Sequence, residues 1–133
     1  MLVYKSLYST TDYFKEQNFI CSTWLTESSV LTKDSFKDEM VKVLAQIKEC
    51  MPLKVLIDTT NFNFNVTQEV QDWIVKFFLE QVIELGVKKY AIVVPVDIYK
   101  TVSVDHIQTD DIEEEIAIQY FKDIDAAKSW ILN

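Results

Sequence analysis

The spacing of hydrophobic residues changes several times along the chain, and each change predicts a different element. Residues 53–58 (LKVLID) hold a short apolar run without alternation, which indicates a strand covered on both faces. Residues 89–94 (KYAIVV) form a second run of this kind, and we predict that it is a parallel neighbour of the first. Because parallel strands need crossover connections, usually helices, the chain is predicted to be an α/β protein.

Two segments show helical spacing. In residues 36–47 apolar side chains recur three and four positions apart, with Thr32 or Asp34 suited to cap the helix start and Cys50 near its end. The apolar stripe of the second helix consists of Val70, Trp73, Ile74, Phe77, Val82 and Leu85. Gly86 then ends this helix. Phe78 and Ile83 lie off the stripe, and this apolar excess hints at a homodimer contact.

The two ends of the chain complete the predicted sheet. Residues 2–8 form a first strand, and residues 12–16 pair with residues 18–25 as antiparallel strands through a turn near Gln17 and Asn18. Residues 97–106 are suited to a short helix, and residues 116–121 alternate as a last strand. Asp123 or Asp125 then caps a C-terminal helix.

Length and composition are those of one ordinary globular domain covering residues 1–133. Hydrophobic residues make up 49% of the chain and charged residues 26%, which excludes a disordered or fibrous protein. No apolar run approaches the ~20 residues of a membrane span. The first residues lack the pattern of a secretory signal, so we expect a cytoplasmic protein.

The charge balance and the lack of glycine exclude several kinds of ligand. The 13 basic residues are all lysine, and the net charge of -8 disfavours nucleic acid as a partner. A single glycine cannot build a dinucleotide-binding fingerprint or a phosphate loop, and no cofactor is expected. Cys21 and Cys50 are in no CxxC pair and are expected to stay reduced.

Catalytic chemistry finds little support in the sequence. His106 is the only histidine, and any general base with an ordinary pKa near neutrality must be this residue. Asp105, Asp110 and Asp111 could join it around a divalent metal, but their spacing matches no known metal loop, and a solvated acidic face is the favoured interpretation. We therefore predict a non-enzymatic protein with no catalytic residue and no metal site.

The loop that follows the central strand contains the best candidate binding residues. Asp58, Thr59 and Thr60 lie at the carboxyl end of a buried strand, where open α/β sheets usually bind ligands, although Asp and Thr also close turns at such places. Phe62 and Phe64 follow in the polar sequence NFNFN. Two aromatic side chains there either fold back onto the sheet edge or form an exposed contact for a partner.

Three segments resemble the bacterial SpoIIAA-like branch of the STAS superfamily, which is named for sulfate transporters and anti-sigma-factor antagonists. LTKDSFKDEMVKVL resembles the first helix of that group, VLIDTTNFNFNVTQEVQDWIVKFF its central strand, loop and helix, and EIAIQYFKDIDAAKSWIL its closing strand and helix. The resemblance implies a mixed sheet of four to five strands with about four helices packed on it. It also implies a non-enzymatic regulatory module that docks on other proteins.

By the same resemblance, Thr67 matches the residue that is phosphorylated in the antagonist proteins to switch binding off. The family reads Asp-Ser followed closely by Gly, whereas Val66 and Thr67 are followed here by Gln68 and Glu69. From its place alone, Thr67 is also suited to cap the second helix. A phosphate there would gain from the helix dipole but would be repelled by Glu69 and Asp72.

Two functions are therefore expected as alternatives. The first is a protein-interaction module that docks through residues 58–67 and the start of the second helix. The second is a carrier of a small apolar or lipid-like ligand, held between the sheet and the helix of Trp73 and gated by Phe62 and Phe64.

Overall fold

A computed structural model describes residues 1–97 and 115–133 of the chain. Its strands are Leu2–Lys5 (β1), Ser9–Phe14 (β2), Phe19–Trp24 (β3), Lys54–Asp58 (β4), Lys89–Val93 (β5) and Ala117–Phe121 (β6). Its helices are Lys33–Cys50 (α1), a helix in three consecutive segments Gln68–Trp73, Ile74–Leu79 and Glu80–Glu84 (α2), and Ile124–Leu132 (α3). The expected helix at residues 97–106, and His106 with its acidic neighbours, lie largely or wholly outside the described residues.

The six strands form one mixed sheet in which spatial order equals chain order, β1-β2-β3-β4-β5-β6. β1, β2 and β3 are antiparallel, whereas β3 to β6 are parallel to one another. The α/β class predicted from the sequence is therefore confirmed. The sheet has six strands rather than the expected four to five. Three of the about four expected helices lie in the described residues, and the fourth, at residues 97–106, falls largely outside them.

The two faces of the sheet are covered by different helices. The crossovers β3-α1-β4 and β4-α2-β5 step in the same direction, and right-handed connections place both helices on one face. There Val55 and Ile57 of β4 pack in the larger hydrophobic core. Leu56 points the opposite way into a smaller core with Ala127 and Ile131 of α3. β4 is thus covered on both faces as predicted, with Val55 and Leu56 each 0% exposed.

The ends of α1 show how local sequence sets the element boundaries. The Thr32 hydroxyl accepts a hydrogen bond from the Ser35 N–H, and the Ser35 hydroxyl accepts one from the Thr32 N–H, which is a reciprocal capping box. Of the two predicted caps, Thr32 and Asp34, the structure therefore uses Thr32. At the other end Met51 adopts a left-handed conformation with φ of 50°, and the chain turns there into β4.

The middle segment of α2, Ile74–Leu79, is a π-helix. The inward residues Val70, Ile74, Phe78 and Val82 are spaced by four, which a 3.6-residue α-helix would progressively rotate off the core. The wider π turn keeps them on one face. At the π segment the Phe77 C=O accepts a hydrogen bond from the Gln81 side-chain amide at 3.3 Å.

The π segment corrects the sequence prediction for this helix. Phe78, expected off the apolar stripe, is 0% exposed, whereas Phe77, expected on it, is 36% exposed. Ile83 packs against the core as a partly buried residue. Phe78 is therefore buried rather than available for the homodimer contact suggested by the sequence, and Ile83 is only partly exposed.

The antiparallel hairpin differs from its prediction in its boundaries. β1 ends at Lys5, β2 starts at Ser9, and the turn between β2 and β3 is a short 3-10 helix, Lys15–Gln17, closed by Asn18 with φ of 61°. The pairing of the two strands and the turn at Gln17 and Asn18 were predicted correctly.

Within the described ranges, every helix is too short or too polar to cross a membrane.

Candidate functional site

The candidate site is the connection from β4 to α2, at the carboxyl edge of the parallel strands. β3 ends there at Trp24, β4 at Asp58 and β5 at Val93. Residues 59–67 run from the end of β4 to the cap of α2 without a helix or strand of their own. This is the edge at which open parallel sheets place their ligands.

Asp58 and Thr60 close the first turn of the loop. The Asp58 Oδ1 atom accepts hydrogen bonds from the Thr60 N–H at 3.0 Å and from the Thr60 hydroxyl at 2.6 Å. These contacts form an Asx turn, in which a side chain substitutes for a backbone acceptor. Both side chains therefore already have a structural role, which was the alternative to ligand binding considered from the sequence.

Thr59 fastens the loop to the neighbouring strand. Its N–H and its hydroxyl both donate to the C=O of Val93, at 2.8 Å and 2.7 Å. Val93 is the last residue of β5, so these bonds extend the pairing of β4 and β5 by one residue. The start of the loop is consequently fixed to the sheet.

A hydrogen bond to Ser28 holds the middle of the loop in place. This serine is 0% exposed and lies in the 3-10 helix Thr26–Val30 that follows β3. Its hydroxyl accepts a hydrogen bond from the Asn63 N–H at 2.9 Å. The sequence carries no local signal of this contact, because Ser28 and Asn63 are 35 positions apart.

Phe62 and Phe64 fold back onto the molecule. The Phe64 ring stacks on the Phe36 ring of α1 with centroids 4.9 Å apart, and the Phe62 ring lies 4.8 Å from the Trp24 ring. Both phenylalanines are half-buried members of the larger core. The Trp24 and Phe36 rings fill the space beneath the two phenylalanines. A ligand could therefore enter there only if the Phe62 and Phe64 rings moved outward.

The aromatic contacts continue into α2. Phe36 also contacts Trp73 edge-on at 6.5 Å, and Trp73 stacks on Phe77 at 4.9 Å. The Lys37 ammonium lies 5.5 Å from the Trp73 ring centroid, within the range of a cation–π contact. Aromatic residues from β3, α1, the loop and α2 thus form one connected cluster under and beside the loop. The sequence shows that each of these residues is aromatic, but it does not show that the rings come together.

The outer surface of the loop is a row of amides. Burial alternates along residues 61–67, with Asn61, Asn63, Asn65 and Thr67 exposed and the residues between them half-buried. An alternation of period two is that of an extended strand. The loop therefore presents three asparagine side chains on one side, while its apolar side chains anchor the other.

Thr67 caps α2. Its hydroxyl accepts a hydrogen bond from the Val70 N–H at 3.3 Å, and its side chain is exposed. Nearby, the Glu69 carboxylate pairs with the Lys33 ammonium of α1 at 3.1 Å, and the Asp72 carboxylate accepts from the Gln68 side chain at 3.0 Å. The capping role is observed, and phosphorylation of Thr67 stays a prediction.

Removing the Thr67 hydroxyl is expected to destabilise the protein modestly. Thr67→Ala should lower the free energy of unfolding by about 1 kcal/mol, because the Val70 N–H loses its acceptor, whereas Thr67→Ser should change it by less than about 0.5 kcal/mol. Urea unfolding followed by tryptophan fluorescence measures both. Equal stability of the alanine and serine variants would contradict the capping role.

A polar network elsewhere in the core was also not predicted. The Glu39 carboxylate of α1 is 3% exposed, and it accepts hydrogen bonds from Tyr4, Ser6 and Ser9 at 2.9, 2.5 and 2.6 Å. Burial, then the hydrogen bond and charge of Glu39, raise the pKa of the Tyr4 hydroxyl, while its contact with Ser6 opposes them. This network joins α1 to the β1–β2 hairpin, away from the loop.

The two cysteines of the described residues lie outside the loop, and neither is an activated nucleophile. Both cysteines are free, and burial raises the pKa of the Cys21 and Cys50 thiols. A raised pKa keeps a thiol protonated and unreactive. Across residues 1–97 and 115–133, no three His, Cys, Asp or Glu side chains converge as a metal-binding group.

Comparison with protein-family models, with curated proteins and with solved structures finds no match to this chain. The SpoIIAA-like resemblance accordingly remains a prediction based on the three quoted segments.

Proposed function

We propose that this protein is a non-enzymatic interaction module of the STAS type. It docks on a protein partner through residues 58–67 and the first turn of α2. The observation that supports this most directly is the fixed conformation of the loop: Thr59 is bonded to β5, Asn63 to Ser28, and Thr67 to the α2 backbone. A surface that is already ordered loses little conformational entropy when a partner binds.

The chemistry of the loop surface suits a protein partner. The exposed asparagine amides of residues 61, 63 and 65 each carry donors and acceptors for hydrogen bonds to a backbone. The half-buried rings of Phe62 and Phe64 lie on the opposite side of the loop and hold the amide row in place, because they pack on the core.

Lys33 gives Thr67 a route to regulation of this surface. A phosphate on Thr67 would stand close to the Lys33–Glu69 ion pair and would compete with the Glu69 carboxylate for the lysine. Breaking that pair would change the charges presented by the first turn of α2. Thr67→Glu is expected to imitate part of this effect, and Thr67→Ser is the matched variant that keeps the cap without adding charge.

Affinity capture with purified variants tests the docking surface. We expect wild type to retain a partner that is lost when Asn61→Lys and Asn65→Lys are combined, because the two ammonium groups disturb the neutral amide row. Ser129→Lys adds charge on exposed α3, on the other side of the sheet, and should leave capture unchanged. Proteins identified by mass spectrometry are then purified and titrated against the same variants by calorimetry.

The outcomes separate the docking surface from the rest of the molecule. Loss of binding in the loop variant alone supports the proposal. Equal binding by wild type and the loop variant, or loss with Ser129→Lys alone, would place the partner elsewhere. Equal binding by the Thr67→Glu and Thr67→Ser variants would remove the regulatory role of Thr67 but leave the docking surface intact.

A further inference from the structure

Within residues 1–97 and 115–133, one backbone edge of the loop has no hydrogen-bond partner. In an extended segment the N–H and C=O groups of successive residues point to opposite sides. The Asn63 N–H points to Ser28, so the groups of Phe64 and Val66 face away from it. Within the part of the chain that the structure describes, no hydrogen bond to the N–H or C=O of Phe64 or Val66 is found. Among the described residues, these groups therefore form a short unpaired edge.

The sequence around Phe64 is nearly the same in both directions. Asn63 and Asn65 flank it, apolar Phe62 and Val66 follow two positions away, and polar Asn61 and Thr67 three positions away. An antiparallel partner strand with this sequence would place Asn63 opposite Asn65, and apolar Phe62 opposite apolar Val66. A twofold contact between identical chains requires self-complementarity of this kind.

Charge favours this segment as the place where two copies meet. Each copy carries a net charge of -8, so most surfaces of two copies repel each other. Residues 59–68 contain no charged side chain. Two copies can therefore approach closely at this loop without bringing like charges directly together.

We propose that the loop is a self-association surface, on which a second copy of the chain pairs antiparallel about a twofold axis at Phe64. The Phe64 N–H of each copy donates to the Phe64 C=O of the other, and the Val66 N–H donates to the Phe62 C=O. This register needs no free Phe62 N–H, which already donates to the Thr59 C=O at 3.1 Å. Asn63 of each copy then lies opposite Asn65 of the other, in the pair whose side chains approach most closely.

This inference rests on the proposed function in using the same loop as a docking surface, and self-association would compete with binding of another protein. A single short segment buries less than an ordinary stable interface, so we expect a weak dimer with Kd on the order of 0.1 mM. Added salt should strengthen it, because screening weakens the repulsion between the two acidic chains.

Sedimentation equilibrium of the full chain tests the dimer over a concentration series at low and high salt. Combining Asn63→Asp with Asn65→Asp sets carboxylates opposite each other across the twofold axis, and we expect at least about a tenfold weaker association. Combining Asn63→Asp with Asn65→Lys places a carboxylate opposite an ammonium group at both of the 63–65 contacts between the two copies. That variant should associate at least as tightly as wild type, and thermal unfolding checks that all three proteins are folded.

Each outcome decides one question. A wild-type protein that stays monomeric throughout the series at high salt would overturn the inference, as would a dimer equally stable in both charge variants. A monomeric protein that still captures a partner through the loop overturns only the dimer. A charge-sensitive dimer that captures no partner overturns only the proposed function.

Discussion

Phe78→Ala is expected to be one of the most damaging single substitutions in α2, lowering the free energy of unfolding by about 3–5 kcal/mol. Phe78 is 0% exposed and packs in the larger core, so its removal leaves a cavity that the surrounding side chains fill only in part. Phe77→Ala, one position earlier, should cost only about 1 kcal/mol, since it loses mainly the stack on Trp73. Urea unfolding of both variants, with the slope of the transition compared, measures this difference.

The pair of variants is its own control, because the same side chain is removed from adjacent positions. A regular α-helix in the register read from the sequence would bury Phe77 and expose Phe78, and the order of the two losses would then be reversed. Equal losses would mean that neither ring is preferentially buried. Either result would contradict the π segment of Ile74–Leu79.

The error at this helix has a physical reason. The period of an α-helix places Phe77 one turn after Trp73 and Ile74, and so predicts that Phe77 is buried. Inward residues four apart fit that period over one turn but drift away from the core over several. With Phe77 and Phe78 both aromatic, composition could not decide between them. Only the contacts of α2 with the sheet identify Phe78 as the buried ring.

The elements with one dominant local signal were predicted well. β4 has an apolar run with no alternation, and Thr32 stands directly before the helical pattern of α1. The six-stranded order, by contrast, depends on which strand edges pair, and β1 and β2 are half-buried strands with little hydrophobic contrast. Strand pairing of that kind is specified by tertiary contacts more than by local pattern.

The sequence suggested the residues of the candidate site but not the contacts that hold them in place. Asp58, Thr59, Thr60, Phe62 and Phe64 were selected because they follow a buried strand. Asp58 and Thr60 bond to each other locally, but the rest of the loop is held by the Val93 carbonyl, the Ser28 hydroxyl and the Trp24 ring, all distant in sequence. Their assignment as a docking surface stays a prediction.

Glu39→Ala is expected to cost about 3 kcal/mol of folding free energy, because it removes a buried acceptor shared by three hydroxyl groups. Most of this loss comes from the Ser9 hydroxyl, which is left buried without an acceptor. Ser9 is 1% exposed and donates to the Glu39 carboxylate at 2.6 Å. Glu39→Gln keeps the volume and one carbonyl oxygen, and hydroxyl groups can rotate to accept from its amide. The glutamine variant should therefore lose only about 1 kcal/mol.

The interaction of Glu39 with Ser9 can be isolated by a double-mutant cycle. Once Glu39→Ala is present, adding Ser9→Ala removes a buried hydroxyl that has already lost its acceptor, so the second loss should be smaller than in the wild-type background. We expect a coupling of about 1–2 kcal/mol between the two sites in urea unfolding. Strictly additive losses would show that the carboxylate does not accept from Ser9. The connection of α1 to the β1–β2 hairpin would then depend on the contacts of Tyr4 and Ser6 alone.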